Sequence, residues 1–206
     1  MTQIEPEVAR KFMSDFLKGN TDFEEIFADE QDLALLPKMV PHISNFAWLS
    51  NLEHDCPNTL FGAKKLFRQR MSEILANVPA NMDGYIMLLT WEYGWDNPVP
   101  ESSTGMTMLH KKKRAASNSI LPGLDNLWRL QEVLGQTWTE DAPVRGASTE
   151  YEVKQFMRRL IDDASLDNII TVLNGTSEHQ LDEGIFEYAQ KKVSALIATL
   201  PPESDS

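Results

Sequence analysis

Two stretches of this chain carry side chains suited to chemistry or recognition. Trp91-Glu92-Tyr93-Gly94-Trp95-Asp96-Asn97-Pro98 sets large aromatic faces beside two carboxylates on a Gly/Pro turn. That composition suits a ligand pocket or the anchor of a protein interface, through Trp91, Glu92, Tyr93, Trp95 and Asp96. Glu92 and Asp96 can share acid and base work only on a helix, where a spacing of four residues brings side chains together. Aromatics that follow an apolar run also serve as core anchors, their indole and phenol groups finding local partners. The second stretch, His110-Lys111-Lys112-Lys113-Arg114, is the dense charge run of the chain. It suits contact with phosphates, a nuclear address or an acidic partner, although a solvated, mobile loop is the favoured reading. Lys64, Lys65, Arg68 and Arg70 would extend it as a basic helix face.

Cys56 precedes a predicted helix start, where free amides favour a thiolate, and His42 and His54 lie nearby in sequence. No thiol-enzyme signature surrounds it, and a free cysteine commonly packs as a small hydrophobe. The same residues with Asp55 offer metal-ligand types without the paired-cysteine or His-Glu-x-x-His spacing of a zinc site. Gly-rich phosphate loops, dinucleotide fingerprints and Gly-x-Ser-x-Gly elbows are missing from the sequence. No catalytic residue, metal or cofactor is expected.

Charge constrains partners further. Residues 1–36 carry nine Asp/Glu against three Lys/Arg, residues 148–206 eleven against five, and residues 37–147 eleven against eleven. The net charge of -12 is thus concentrated at the two ends. Such ends repel polyanions over a screening length of about 8 Å and favour encounter with a basic partner. Nucleic acid is not the expected partner. The single cysteine, the N-terminus without a basic start and apolar run, and the lack of a long apolar stretch predict a cytoplasmic protein without a membrane span.

The elements that position these residues are mostly helical. Val8, Phe12, Met13, Phe16 and Leu17 share one face between Pro6 and Gly19, and Thr21-Asp22-Phe23-Glu24 fits a capping box. Pro37 and Pro41 are expected to interrupt the next segment. Phe46, Trp48, Leu49 and Leu52 mark a third helix, and Asn58 is placed to cap a fourth through Val78. Tyr85 to Tyr93 is so uniformly apolar that periodicity cannot decide, and its aromatic and Thr content favours a strand paired with Thr107-Met108-Leu109. Leu124, Leu127, Trp128 and Leu134 mark another helix, with Pro122 at its first turn and Gly135 as its stop, and residues 136–147 read as a loop. Val153, Phe156, Met157, Leu160 and Ile161 mark the next helix. Leu166 to Gly175 follows, and a last helix capped at Ser177-x-x-Gln180 ends at Pro201.

The expected fold is a mainly α, irregular single-domain helical bundle over residues 1–202 with one small β-hairpin in the middle. Residues 148–200 form a candidate C-terminal helical subdomain, and 203–206 a flexible tail. Function is expected to be that of a non-catalytic acidic interaction protein of inhibitor, immunity or regulatory type. An enzyme or small-ligand binder with a pocket near Trp91 to Asp96 is the alternative, and a nucleic-acid-associated protein or DNA mimic ranks third.

Overall fold

The computed structural model describes residues 14, 27, 30–93, 98–136, 147–175 and 181–199. The first amphipathic segment apart from Ser14, the capping box at Thr21, the loop at 137–146, the Ser177-x-x-Gln180 cap and the tail at 203–206 lie outside them. The fold is mainly helical, and the described residues contain no strand. In chain order the helices are α1 (Glu30–Met39), a 3-10 turn (Val40–His42), α2 (Phe46–Asp55), α3 (Phe61–Asn77), α4 (Met82–Tyr93) and α5 (Thr104–Ser119). They continue with α6 (Leu124–Gln136), α7 (Ala147–Asp162), α8 (Leu166–Gly175) and α9 (Glu183–Ala198). None is long and apolar enough to cross a membrane.

The chain divides into two compact units, one of residues 1–79 and 90–114, the other of residues 80–89 and 115–206. Both boundaries inside the chain's middle fall within helices, in α4 and in α5.

In the first unit α2 packs on α3, and α1 packs on the 3-10 turn and on α3. Asn45 caps α2, its Oδ1 accepting from the Trp48 amide at 3.0 Å, and Phe46, Leu49 and Leu52 are buried along one face. On α3, Phe67, Met71 and Leu75 recur every four residues and are buried. Gly105 of α5 passes close to α2, for a Cβ there would lie 2.0 Å from the Ser50 Oγ. The absence of a side chain at Gly105 is therefore what permits that approach.

In the second unit α7 packs on α6 and α9, and α8 on α9 and α6. Val153, Phe156, Met157, Leu160 and Ile161 of α7 are all buried, as their spacing predicts. Tyr85 donates to the Glu152 Oε1 at 3.0 Å and sets its ring 4.6 Å from that of Phe156. Arg159 donates to the Ser117 carbonyl and lies 4.4 Å from the Phe156 ring. Asp182 caps α9 by accepting from the Gly184 and Ile185 amides.

Several expectations are corrected. Tyr85 to Tyr93 belongs to α4 and Thr107 to Leu109 to α5, so the hairpin is replaced by two helices. Along α4 the buried residues Met82, Tyr85, Leu88, Leu89 and Glu92 recur at helical spacing. Its outer face carries apolar Ile86 and Met87 while its one charge after Asp83 is buried, which hid that period in the sequence. Pro37 lies inside α1, in its last turn, so it removes one hydrogen bond without ending the helix. Asn58 is not the cap of α3, whose cap position is Leu60 and has no side-chain hydrogen bond. Pro122 precedes α6 and Gly135 is within it.

Candidate functional site

The two stretches singled out by composition meet in the first unit, where the end of α4 lies against the middle of α5. Trp91, half-buried, stacks on Phe46 of α2 with ring centroids 5.1 Å apart and planes 18° from parallel. Its carbonyl accepts from the Val99 amide at 3.2 Å, which returns the chain to the end of α4. Glu92 is 7 % exposed and is gripped from α5. His110 Nε2 lies 2.8 Å from its Oε1, and the Lys113 ammonium donates to its Oε2. Lys113, itself 7 % exposed, also lies 5.5 Å from the centroid of the Tyr93 ring.

This geometry follows from helical spacing. His110 and Lys113 stand three residues apart, so both reach the same side of α5 and close on one carboxylate. Leu109, four residues before Lys113 on the same helix, is also buried, so this face of α5 turns inward. A carboxylate withdrawn from water is costly unless both its oxygens find donors, and Glu92 has a cationic or imidazole partner on each.

The basic run is thus part of a helix rather than a mobile loop. Lys113 faces inward, Lys112 is half-buried, and His110, Lys111 and Arg114 are exposed. Trp95 and Asp96 lie outside the described residues, so the proposed pairing of Glu92 with Asp96 does too.

No family model, curated protein or solved structure matches this chain.

A second buried carboxylate, Glu53 of α2, was not among the residues that composition picked out. Its Oε1 accepts from Arg68 Nε at 2.8 Å and Nη2 at 2.6 Å, and Thr104 Oγ1 lies 3.4 Å away. The signal was present in the sequence, because Glu53 follows Phe46 and Leu49 by seven and four residues and so shares their buried face. Beside it, Ser50 and Ser103 hydroxyls are 3.0 Å apart, and Ser103 Oγ accepts from the Met106 amide at the start of α5.

Cys56 is not at a helix start. It closes α2, its amide donating to the Leu52 carbonyl, and its side chain is buried. Burial pushes the thiol up from its ordinary range, against a partial pull down by Lys64 and with a further push from Glu53. That is the opposite of an activated nucleophile. His42 and His54 are exposed on the 3-10 turn and on α2. Among the described residues no cluster of three or more His, Cys, Asp or Glu is placed to hold a metal ion.

Chemically, the α4–α5 cluster is a closed one. Each Glu92 oxygen is engaged by a donor of this chain, His110 at Oε1 and Lys113 at Oε2. His110, its side chain 55 % exposed, is oriented by Glu92 through Nε2 and has Nδ1 as its other nitrogen.

Proposed function

We propose that this chain is an acidic helical interaction protein that recognises a basic protein surface through its second unit. One observation carries the reading: that unit holds sixteen Asp/Glu against seven Lys/Arg, a net charge of -9 out of -12. Asp125, Glu132, Asp167, Glu183 and Glu187 are exposed on its helices, and Asp163 on the turn after α7. Such a surface raises the encounter rate with a cationic partner and discriminates against anionic ones.

The buried carboxylates of the first unit support the same reading. Glu92, Lys113 and Glu53, which would be first choices for acid and base work, are spent on tying α4 to α5 and α2 to α3.

The test compares the native chain with a variant carrying Asp163→Lys, Asp167→Lys, Glu183→Lys and Glu187→Lys, its helicity verified by circular dichroism. Immobilised native chain is expected to retain a basic protein from an extract of its native cells at low salt and release it at high salt. The variant is expected to retain none of it. Equal retention by both chains overturns the reading.

A further inference from the structure

The α4–α5 cluster is closed at Glu92 but open at His110. Glu92, its side chain 5 % exposed, holds the imidazole through Nε2 at 2.8 Å, whereas the His110 side chain is 55 % exposed. A carboxylate only accepts, so Nε2 carries the hydrogen of this bond, and in the neutral ring Nδ1 keeps its lone pair. Nδ1 makes no hydrogen bond among the described residues.

The surroundings of that nitrogen suit an anion. Thr107, His110, Lys111 and Arg114 are exposed at a 3-1-3 spacing and form the outward stripe of α5. Arg114 stands one turn beyond His110 on this stripe, and side chains four residues apart on a helix reach a shared group. An imidazole held in one tautomer by a buried carboxylate, with a guanidinium beside it, combines a nucleophile with a counter-charge for phosphoryl oxygens. His42 and His54 are exposed as well, but neither ring meets a carboxylate among the described residues.

We propose that His110 is a phosphoacceptor, taking a phosphoryl group on Nδ1 from a donor of the acyl phosphate or phosphoramidate class. The Nδ1 lone pair attacks phosphorus and forms the new P–N bond. The bond from phosphorus to the carboxylate or ammonia leaving group breaks, and its electron pair departs with that group. The Nε2 proton stays on the ring, which becomes an imidazolium whose charge Glu92 balances. Glu92 is thus a positioning residue, and Arg114 binds the transferred group. The site lies in the first unit and does not depend on recognition of a basic partner by the second.

Treatment of the full chain with phosphoramidate, read by phosphorus NMR and by peptide mass spectrometry under alkaline conditions that preserve phosphohistidine, tests the proposal. His110 is expected to react about tenfold faster than His42 and His54 and to give the Nδ1 isomer, a signal that His110→Asn removes. Arg114→Ala is expected to slow the transfer roughly fivefold without changing the isomer. Glu92→Met combined with Lys113→Met exchanges the buried pair for apolar side chains, with helicity checked by circular dichroism. In that chain His110 is expected to react no faster than His42 and His54 and to give mainly the Nε2 isomer. A purely structural role for Glu92 would leave the isomer unchanged. Equal rates at His42, His54 and His110, or an Nε2 adduct at His110 of the native chain, overturn the proposal.

Discussion

The ammonium of Lys113 is buried against the carboxylate of Glu92, twenty-one residues earlier in the chain. It turns one member of an apparent surface charge run into a core residue. Lys113→Met leaves Glu92 buried with only His110, and removing one partner of such a pair costs about 3–5 kcal/mol. Lys111→Met, two positions away and exposed, is expected to stay within about 0.5 kcal/mol of native. Urea denaturation of the two variants measures the difference, and equal midpoints would place both lysines on the surface. Glu92→Gln combined with Lys113→Met is expected to recover part of the loss, since no charge is then stranded.

Gly105 predicts a second loss. A methyl group there meets the Ser50 Oγ and, at 2.6 Å, its Cβ, with the Met71 sulfur at 3.3 Å. Gly105→Ala is therefore expected to destabilise by about 1–3 kcal/mol through overpacking, although alanine is the better helix former. Ser50→Gly in the same chain makes room for that methyl and should restore a measurable fraction. A stabilised Gly105→Ala would show that α2 and α5 lie farther apart.

How much of this was legible follows the direction in which charges face. On α7 the polar residues face out and the apolar ones in, so Val153 to Ile161 could be read as a helix with its core face from spacing alone. On α4 and α5 two charges, Glu92 and Lys113, face in. That erased the helical period of Tyr85 to Tyr93 and made the basic run look like a loop. Composition drew attention to both stretches, but their meeting is a tertiary event between residues far apart in sequence. Glu53 was legible from its register with Phe46 and Leu49, whereas its partner Arg68 was not, since an exposed basic face gives no sign of which arginine reaches a buried carboxylate.

Cys56 gives a pH-dependent prediction. Its thiol is pushed up by burial, so the folded chain favours the neutral form more strongly than the unfolded chain does. The associated stability is fully present below the ordinary thiol range and is lost as pH rises toward the raised folded value. Cys56→Ala is expected to flatten that alkaline decline in the unfolding free energy. Iodoacetamide at neutral pH is expected to modify the native thiol only as fast as α2 opens. Rapid alkylation of the folded chain would contradict the buried placement.

Asp182 serves two purposes in the second unit. Its Oδ1 caps α9 and its Oδ2 lies 2.8 Å from Lys154 Nζ, which also meets Glu150 at 2.7 Å. Asp182→Ala should cost about 0.5–2 kcal/mol from the cap, and Asp182→Asn, which retains a capping oxygen, less. Asp182 and then Glu150 hold the Lys154 ammonium above its ordinary value. The pair's contribution is therefore present below the usual lysine range and lost as pH rises through the raised value. Asp182→Asn is expected to weaken that dependence, and thermal melts between neutral and strongly alkaline pH check it.

Recognition of a basic partner by the second unit is tested most directly by stopped-flow association of the retained partner with the native chain across a series of salt concentrations. The rate constant is expected to fall steeply with salt for the native chain, and to be slower and nearly independent of salt for the variant with Asp163, Asp167, Glu183 and Glu187 changed to Lys. Identical rates and identical salt slopes for the two chains would contradict the account.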